Sequence, residues 1–321
     1  MAVTVGVSVC IPVYNGEETI ARTISSVLAA QKCTANSVEI IIVDDNSTDR
    51  TIENIKPFLR YDHVRLERNV RNLGLAGNWQ RALSLGTGQI VTLLHMDDWY
   101  GPECLQVVSS AFAEDPALAM LASGQTFYNQ DGCGVPFTTH RIATFTGHEY
   151  ADFQLQFCEC PAPSTSFFRR SMLEKVKPYF GDDYLWCPEL DLYIRLALAN
   201  PTANFRHCPE KLVHRTAADP NRFSLRFPGL AAIDACTVVV RFGDNPSSSS
   251  AHLGGRRAGA RRRIANAIAG VLLQRDIAQL LRVICHPSVR RWLARDLWGF
   301  AYVLGNISAR SVRRVFRRRN Q

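Results

Sequence analysis

No apolar run in the chain approaches the roughly 18–20 residues needed to span a bilayer. The nearest, Ile264–Leu273, is far too short. No G-x-x-x-x-G-K-[ST] loop is present, and Gly74, Gly77, Gly86 and Gly88 do not form a dinucleotide fingerprint. A P-loop NTPase and a Rossmann dehydrogenase are thereby disfavoured. There is no C-x-x-C pair: ten cysteines are scattered over 321 residues, and the closest two are Cys158 and Cys160. That spacing argues against a disulfide scaffold or a structural zinc and for free thiols in a reducing cytosol. No basic segment or cleavage site precedes the strand-like stretch 3–13, so secretion is not expected. Internal repeats are absent as well.

Lysine is missing from residues 251–321, which hold 16 arginines and only two acids, Asp276 and Asp296. The overall charge of +8 therefore conceals a tail of +14 and a body with 21 basic against 27 acidic residues. A mildly acidic body with a cationic end invites an anionic membrane surface or nucleic acid as partner. At 46% hydrophobic and 21% charged residues, the chain has ample material for a core and is not disordered as a whole.

The first half alternates two periodicities. Residues 5–13, 38–43, 63–67, 89–94 and 118–123 read as short strands rich in β-branched residues. Between them, 16–30, 47–59, 76–85 and 102–113 read as helices, with Ser47 or Thr48 opening the second. Such alternation predicts an α/β fold: a mostly parallel sheet with helices on both faces. After about residue 125 the pattern loosens. Residues 127–145 suggest a hairpin around Asp131-Gly132, while 147–157, 171–177 and 188–199 look helical. The Pro/Ser/Gly-rich stretch 244–255 reads as a linker, and two basic helical segments follow it, broken at Pro287.

In an open parallel sheet, ligands bind beyond the carboxyl ends of the strands. Polar clusters fall at three such ends: Pro12 to Gly16, Asp44 to Ser47, and His95 to Asp98. Two acidic pairs at one sheet edge repel each other unless a cation or hydrogen-bond donors lie beside them. Helix capping explains either pair alone, but hardly both together with the Tyr14-Asn15 turn.

The segments VSVCIPVYNGEETI, VEIIIVDDNSTDRT, NVRNLGLAGNWQRAL and GQIVTLLHMDDWY resemble, in order and spacing over residues 5–115, the motifs of family-two inverting glycosyltransferases of GT-A fold. PAPSTSFFRRSMLEKV and CPELDLYIRLAL resemble the same family's acceptor-side motifs. The resemblance covers about residues 5–216. It implies a GT-A catalytic domain over 1–243, with a nucleotide-sugar half (1–124) and an acceptor half (125–243), then the linker 244–255 and an Arg-rich helical tail 256–321. It further implies metal-assisted transfer of a sugar from a nucleotide-diphosphate donor, UDP- or dTDP-linked, to a hydroxyl of a saccharide or lipid-linked acceptor.

By the same resemblance, Pro12, Tyr14 and Asn15 shape the nucleotide pocket and Asp44, with Asp45 beside it, accepts from the base. Asn72, Gly74 and Arg81 belong to the loop that closes over the nucleotide. Asp98 would ligate Mn²⁺ or Mg²⁺, with Asp97 holding the ribose or sharing the metal. His95 stands where the family usually has an Asp. Counting back from Arg195, Glu189 falls in the place of the general base and Asp191 is the alternative. The two lie about 200° apart on a helix and cannot serve the same acceptor. His214-Arg215 resembles a basic motif that faces the site.

The tail's arginines flank apolar stretches carrying Trp292, Trp298 and Tyr302, which suits interfacial helices on anionic lipid. On this reading the protein is cytoplasmic and peripheral on the inner face of the cell membrane. A subdomain packed on the body, or a homodimer interface, is the competing use. Nucleic acid is not expected, since no recognition motif accompanies the arginines. A non-catalytic sugar-nucleotide-binding or scaffold protein is the alternative to an enzyme.

Overall fold

The computed structural model describes residues 6–128, 134–137, 142–157, 160–181 and 187–216, with a few further positions between 234 and 291. The linker, nearly all of the tail and the tip of the expected hairpin at Asp131-Gly132 lie outside the described residues. In chain order the elements are β1 (Val7–Val13), α1 (Ile20–Gln31), β2 (Val38–Asp44), α2 (Thr51–Ile55), β3 (Val64–Arg68), α3 (Gly74–Ser84) and β4 (Ile90–Leu93). There follow β5 (Trp99–Tyr100), α4 (Cys104–Glu114), β6 (Leu118–Tyr128), β7 (Gly134–Phe137), β8 (Ala143–Thr146) and α5 (Gly147–Phe157). The series ends with β9 (Ser166–Arg169), α6 (Arg170–Leu173), α7 (Pro188–Ala199) and β10 (Asn204–Thr216). No described helix is long and apolar enough to cross a membrane. The chain divides into two compact units: Met1–Gly147, Pro161–Phe180 and Arg195–Asp219 form one, and His148–Cys160, Gly181–Ile194 and Pro220–Gln321 the other.

The first unit is built on one sheet in the order β3-β2-β1-β4-β9-β6-β10-β5, with β7 added to β6 and β8 to β10. β1 is buried at all seven positions, which is why VSVCIPV reads as an unbroken apolar run rather than an alternation. Its register against β2 runs from Val7↔Val38 to Val13↔Asp44, and β2 meets β3 at Asp44↔Arg68. The three strands therefore end level. Right-handed crossovers that step outward from β1 to β3 put α1 and α2 on one face, and the return from β3 to β4 puts α3 on the other. α1 buries Ile20, Thr23, Ile24, Val27 and Ala30, one stripe at helical spacing.

Beyond β4 the sheet is mixed. β9 inserts between β4 and β6, antiparallel to both. β6 and β10 again run with β1, while β5, β7 and β8 run against it. The expected hairpin is split: β7 folds back on β6, but β8 pairs instead with β10. β10 follows β6 through bulges around Lys211, so its side chains do not keep one alternation.

Candidate active site

Three turns meet at the carboxyl edge of β2, β1 and β4. The first follows β1, where Asn15 takes a left-handed φ of 49° and Asn46, in the neighbouring turn, one of 63°. Asparagine tolerates that region better than other residues with a Cβ. The two turns are laced together. The Asn15 N–H donates to Ser47 Oγ at 2.9 Å, and Asn15 Oδ1 accepts from the Thr48 N–H at 2.9 Å. The Gly16 N–H donates to Thr51 Oγ1 at 2.7 Å, and the Glu17 N–H to Asp49 at 3.1 Å. Burial works to raise the Asp49 pKa, but the Thr51 hydroxyl and the amides of Thr51 and Glu17 hold it below the usual range.

Gly16 also ties in the third turn. A Cβ there would stand 2.8 Å from Met96 Sδ and 2.9 Å from Val13 Cγ2, so only glycine lets the β1 and β4 turns approach. Aspartates 44, 45, 97 and 98 thus share one edge of one sheet.

Their environments differ sharply. Asp44 is fully buried, accepts from the Ser47 N–H and pairs with Arg68 Nε at 3.1 Å. Asp45 is 2% exposed and organises the protein itself: it accepts from Asn69 Nδ2 at 2.6 Å, the Leu73 N–H at 2.7 Å and the Gly74 N–H at 3.0 Å. It thereby anchors the start of α3, where negative charge is favoured. Asn72 Oδ1 accepts from the same Gly74 N–H at 2.9 Å, and Gly74 itself has a φ of 74°. Arg81 donates to Asn69 Oδ1 at 2.7 Å and pairs with Glu67 at 3.3 Å, bracing the loop from behind. Pro12 is buried in β1, whereas Tyr14 is 44% exposed on the open edge.

The same division appears at the third turn. Asp98 is 0% exposed; its carboxylate pairs with Arg215 Nε at 3.0 Å and accepts from Ser164 Oγ at 2.6 Å. Ser164 in turn accepts from the His95 N–H at 3.0 Å, and Arg215 reaches Gln125 Oε1 at 3.3 Å. The Asp97 side chain is partly exposed and carries no hydrogen bond or ion pair among the described residues. Asp98 is thus the enclosed carboxylate and Asp97 the accessible one. His95 stacks on Trp79 at 4.9 Å, with an interplanar angle of 27°. Ligand atoms of His95, Asp97 and Asp98 lie within 4.8 Å of one another. His95 Nδ1 lies 3.7 Å from the Asp98 carboxylate, and one imidazole with two carboxylates, completed by diphosphate oxygens, suits a hard or borderline cation such as Mg²⁺ or Mn²⁺.

The two candidate bases belong to the second unit, on the first turn of α7. Asp191 is 1% exposed and its carboxylate pairs with Arg241 Nη1 at 3.2 Å. Glu189 is half-buried.

Sequence reasoning gave Ser164 no role and Arg215 only a loose one. The buried Ser-Thr-Ser run 164–166 was the available signal: three hydroxyls inside a core must have partners.

The sequence profile of Glycosyl transferase family 2 matches residues 8–177, just over half of the chain. The chain belongs to this family. Among curated relatives, an uncharacterized protein of Mycobacterium tuberculosis is 38% identical over 114 residues, 36% of this chain and 34% of that protein. The poly(ribitol-phosphate) β-glucosyltransferase of Bacillus spizizenii is 33% identical over 101 residues, 31% of this chain and 16% of the relative. The chain thus spans about a third or less of these relatives. Among solved structures, residues 1–349 of Staphylococcus aureus TarS in complex with UDP-GlcNAc superpose with a TM-score of 0.65 at 18% identity, covering 98% of this chain and 92% of that one. A Pyrobaculum calidifontis mannosyltransferase in complex with GDP-Man and Mn²⁺ gives 0.57 at 16% identity, covering 94% and 86%. These neighbours establish the GT-A fold.

Proposed function

We propose that the protein is an inverting glycosyltransferase that moves a sugar from a nucleoside-diphosphate donor, UDP- or dTDP-linked, to a hydroxyl of a saccharide or lipid-linked acceptor. The observation that carries the reading is the accessible Asp97 carboxylate beside His95, at the edge where three strand-end turns meet. The bound ligands of TarS and of the mannosyltransferase support the donor class.

Asp97, with His95 as a second donor, would hold Mn²⁺ or Mg²⁺ against the diphosphate. Such a cation supplies positive charge where negative charge grows on the leaving group. Tyr14, exposed at the mouth, is placed to pack on the base, and Asn15 and Ser47 shape the floor. Asp45, Asn72, Gly74 and Arg81 act one layer back, keeping the loop before α3 in shape, while Asp44 holds the turn at Ser47 and pairs with Arg68. Glu189 is the general base. It takes the proton of the acceptor hydroxyl as that oxygen forms its bond to the anomeric carbon. The bond from that carbon to the diphosphate breaks on the opposite face, which inverts the configuration. Asp191, buried and paired with Arg241, is the alternative base.

The test is nucleoside-diphosphate release from a panel of UDP-, dTDP- and GDP-sugars, with Mn²⁺, Mg²⁺ or EDTA. Metal-dependent release from one donor is expected. Tight nucleotide binding with no release from any donor would favour a scaffold role instead.

The tail, 256–321, would lie on the anionic inner leaflet and bring the site to a lipid-linked acceptor, with self-association as the rival use of its arginines. The full chain should co-sediment with vesicles rich in phosphatidylglycerol and be released by salt. Equal binding to neutral phosphatidylcholine vesicles would contradict the electrostatic part of this reading.

A further inference from the structure

Helix α1 turns two adjacent side chains toward the segment that carries Asp97. Thr23 is fully buried, and its hydroxyl oxygen lies 2.7 Å from the Met96 carbonyl oxygen and 2.8 Å from that of Asp98. Its neighbour Arg22 donates from Nη2 to the Asp97 carbonyl at 3.0 Å and reaches Thr216 Oγ1 at 3.4 Å. The same guanidinium lies 3.9 Å over the Trp99 ring, which limits its own freedom. Three successive carbonyls therefore point at one turn of one helix. The Asp98 N–H closes the segment by donating to the His95 carbonyl at 3.1 Å.

Peptide planarity gives this arrangement its consequence. The Met96 carbonyl defines the plane before Asp97, and the Asp97 carbonyl defines the plane after it. Thr23 offers one hydroxyl proton to the Met96 and Asp98 carbonyls, and Arg22 holds the Asp97 carbonyl between them. Together they restrain the peptide planes around Asp97, and with them the direction in which its Cβ leaves the backbone. Met96 also packs close to Gly16, where a Cβ would stand 2.8 Å from its Sδ.

We infer that Thr23 and Arg22 are positioning residues for the cation: they aim the Asp97 carboxylate through the backbone without touching ion or donor. The inference rests on the reading of Asp97 as the cation's carboxylate. Valine in place of Thr23 keeps the branched shape but takes the hydroxyl away from both carbonyls. Serine keeps the donor.

The experiment is Mn²⁺ binding to the full-length protein with saturating UDP, read from the free-Mn²⁺ EPR signal. Metal-free UDP affinity and melting temperature are measured in parallel. Thr23→Val should weaken Mn²⁺ affinity by roughly 10–100-fold, the range seen when an outer-shell partner of a metal ligand is lost. Thr23→Ser should restore it, metal-free UDP affinity should not change, and Arg22→Lys, which keeps the positive charge near Asp97 but loses the planar donor, should weaken Mn²⁺ binding in the same sense. Wild-type affinity in Thr23→Val, in a protein whose Asp97→Asn variant binds no Mn²⁺, overturns the inference alone. An equal loss of metal-free UDP binding also overturns it. If Thr23→Val does not fold, Arg22→Lys decides: unchanged Mn²⁺ affinity is the contrary result. A wild-type protein that takes up no Mn²⁺ with UDP overturns the reading of Asp97 and this inference with it.

Discussion

Asp97→Ala should lower kcat by roughly 10³-fold, the scale on which one preorganised charge at a developing anion acts, while leaving the melting temperature unchanged. The Asp97 side chain is partly exposed and bonds to no described residue, so nothing in the fold depends on it. Asp98→Ala should behave in the opposite way. It leaves Arg215, whose side chain is only 14% exposed, facing a void where its carboxylate stood, and it strips Ser164 of its acceptor. Removing one partner of a buried ion pair costs about 3–5 kcal/mol, so this variant should be severely destabilised. Activity assays and thermal unfolding on the two neighbours separate the roles. Equal melting temperatures with activity lost only in Asp98→Ala would reverse the assignment.

The second large effect is at Glu189. Glu189→Gln keeps size and polarity but cannot accept the acceptor's proton, and should reduce kcat by roughly 10²–10⁴-fold, the usual contribution of a positioned base. Donor affinity should not change, because the base acts on the acceptor hydroxyl and not on the nucleotide. The acidic limb of the pH–rate profile should disappear in this variant. Asp191→Asn should retain that limb and instead loosen the contact with Arg241. Loss of the limb in Asp191→Asn, with a normal profile in Glu189→Gln, would exchange the two residues.

How much of this was legible in the sequence depended on how local the determining contacts are. β1, β2 and β4 are buried on both faces, so each appears as an apolar run with a polar cluster at its end. The convergence of the three turns could be read because strand ends in a parallel sheet share an edge. The later strands were harder. β9 is four residues inside PSTSFFRR, and β10 interrupts its alternation with Pro209 and with bulges that answer to β6. Neither announces itself by period.

The division of labour within Asp97-Asp98 was not legible at all. Their surroundings are decided by an arginine 117 residues away on β10 and a serine 66 residues away in the turn before β9. Likewise, nothing in the sequence signals that Asp45 accepts from Asn69 and from the amides of Leu73 and Gly74. A spacing pattern shows which carboxylates share an edge; the partners that reach them decide which remain free.

The most direct test of the account is anomalous scattering at the manganese edge from crystals of the full chain grown with UDP and Mn²⁺. The account predicts a single strong peak coordinated by the Asp97 carboxylate and the diphosphate, with Asp98 still paired to Arg215. A peak bound by Asp98 with Arg215 displaced, or UDP seated at this edge with no metal peak beside it, would contradict it.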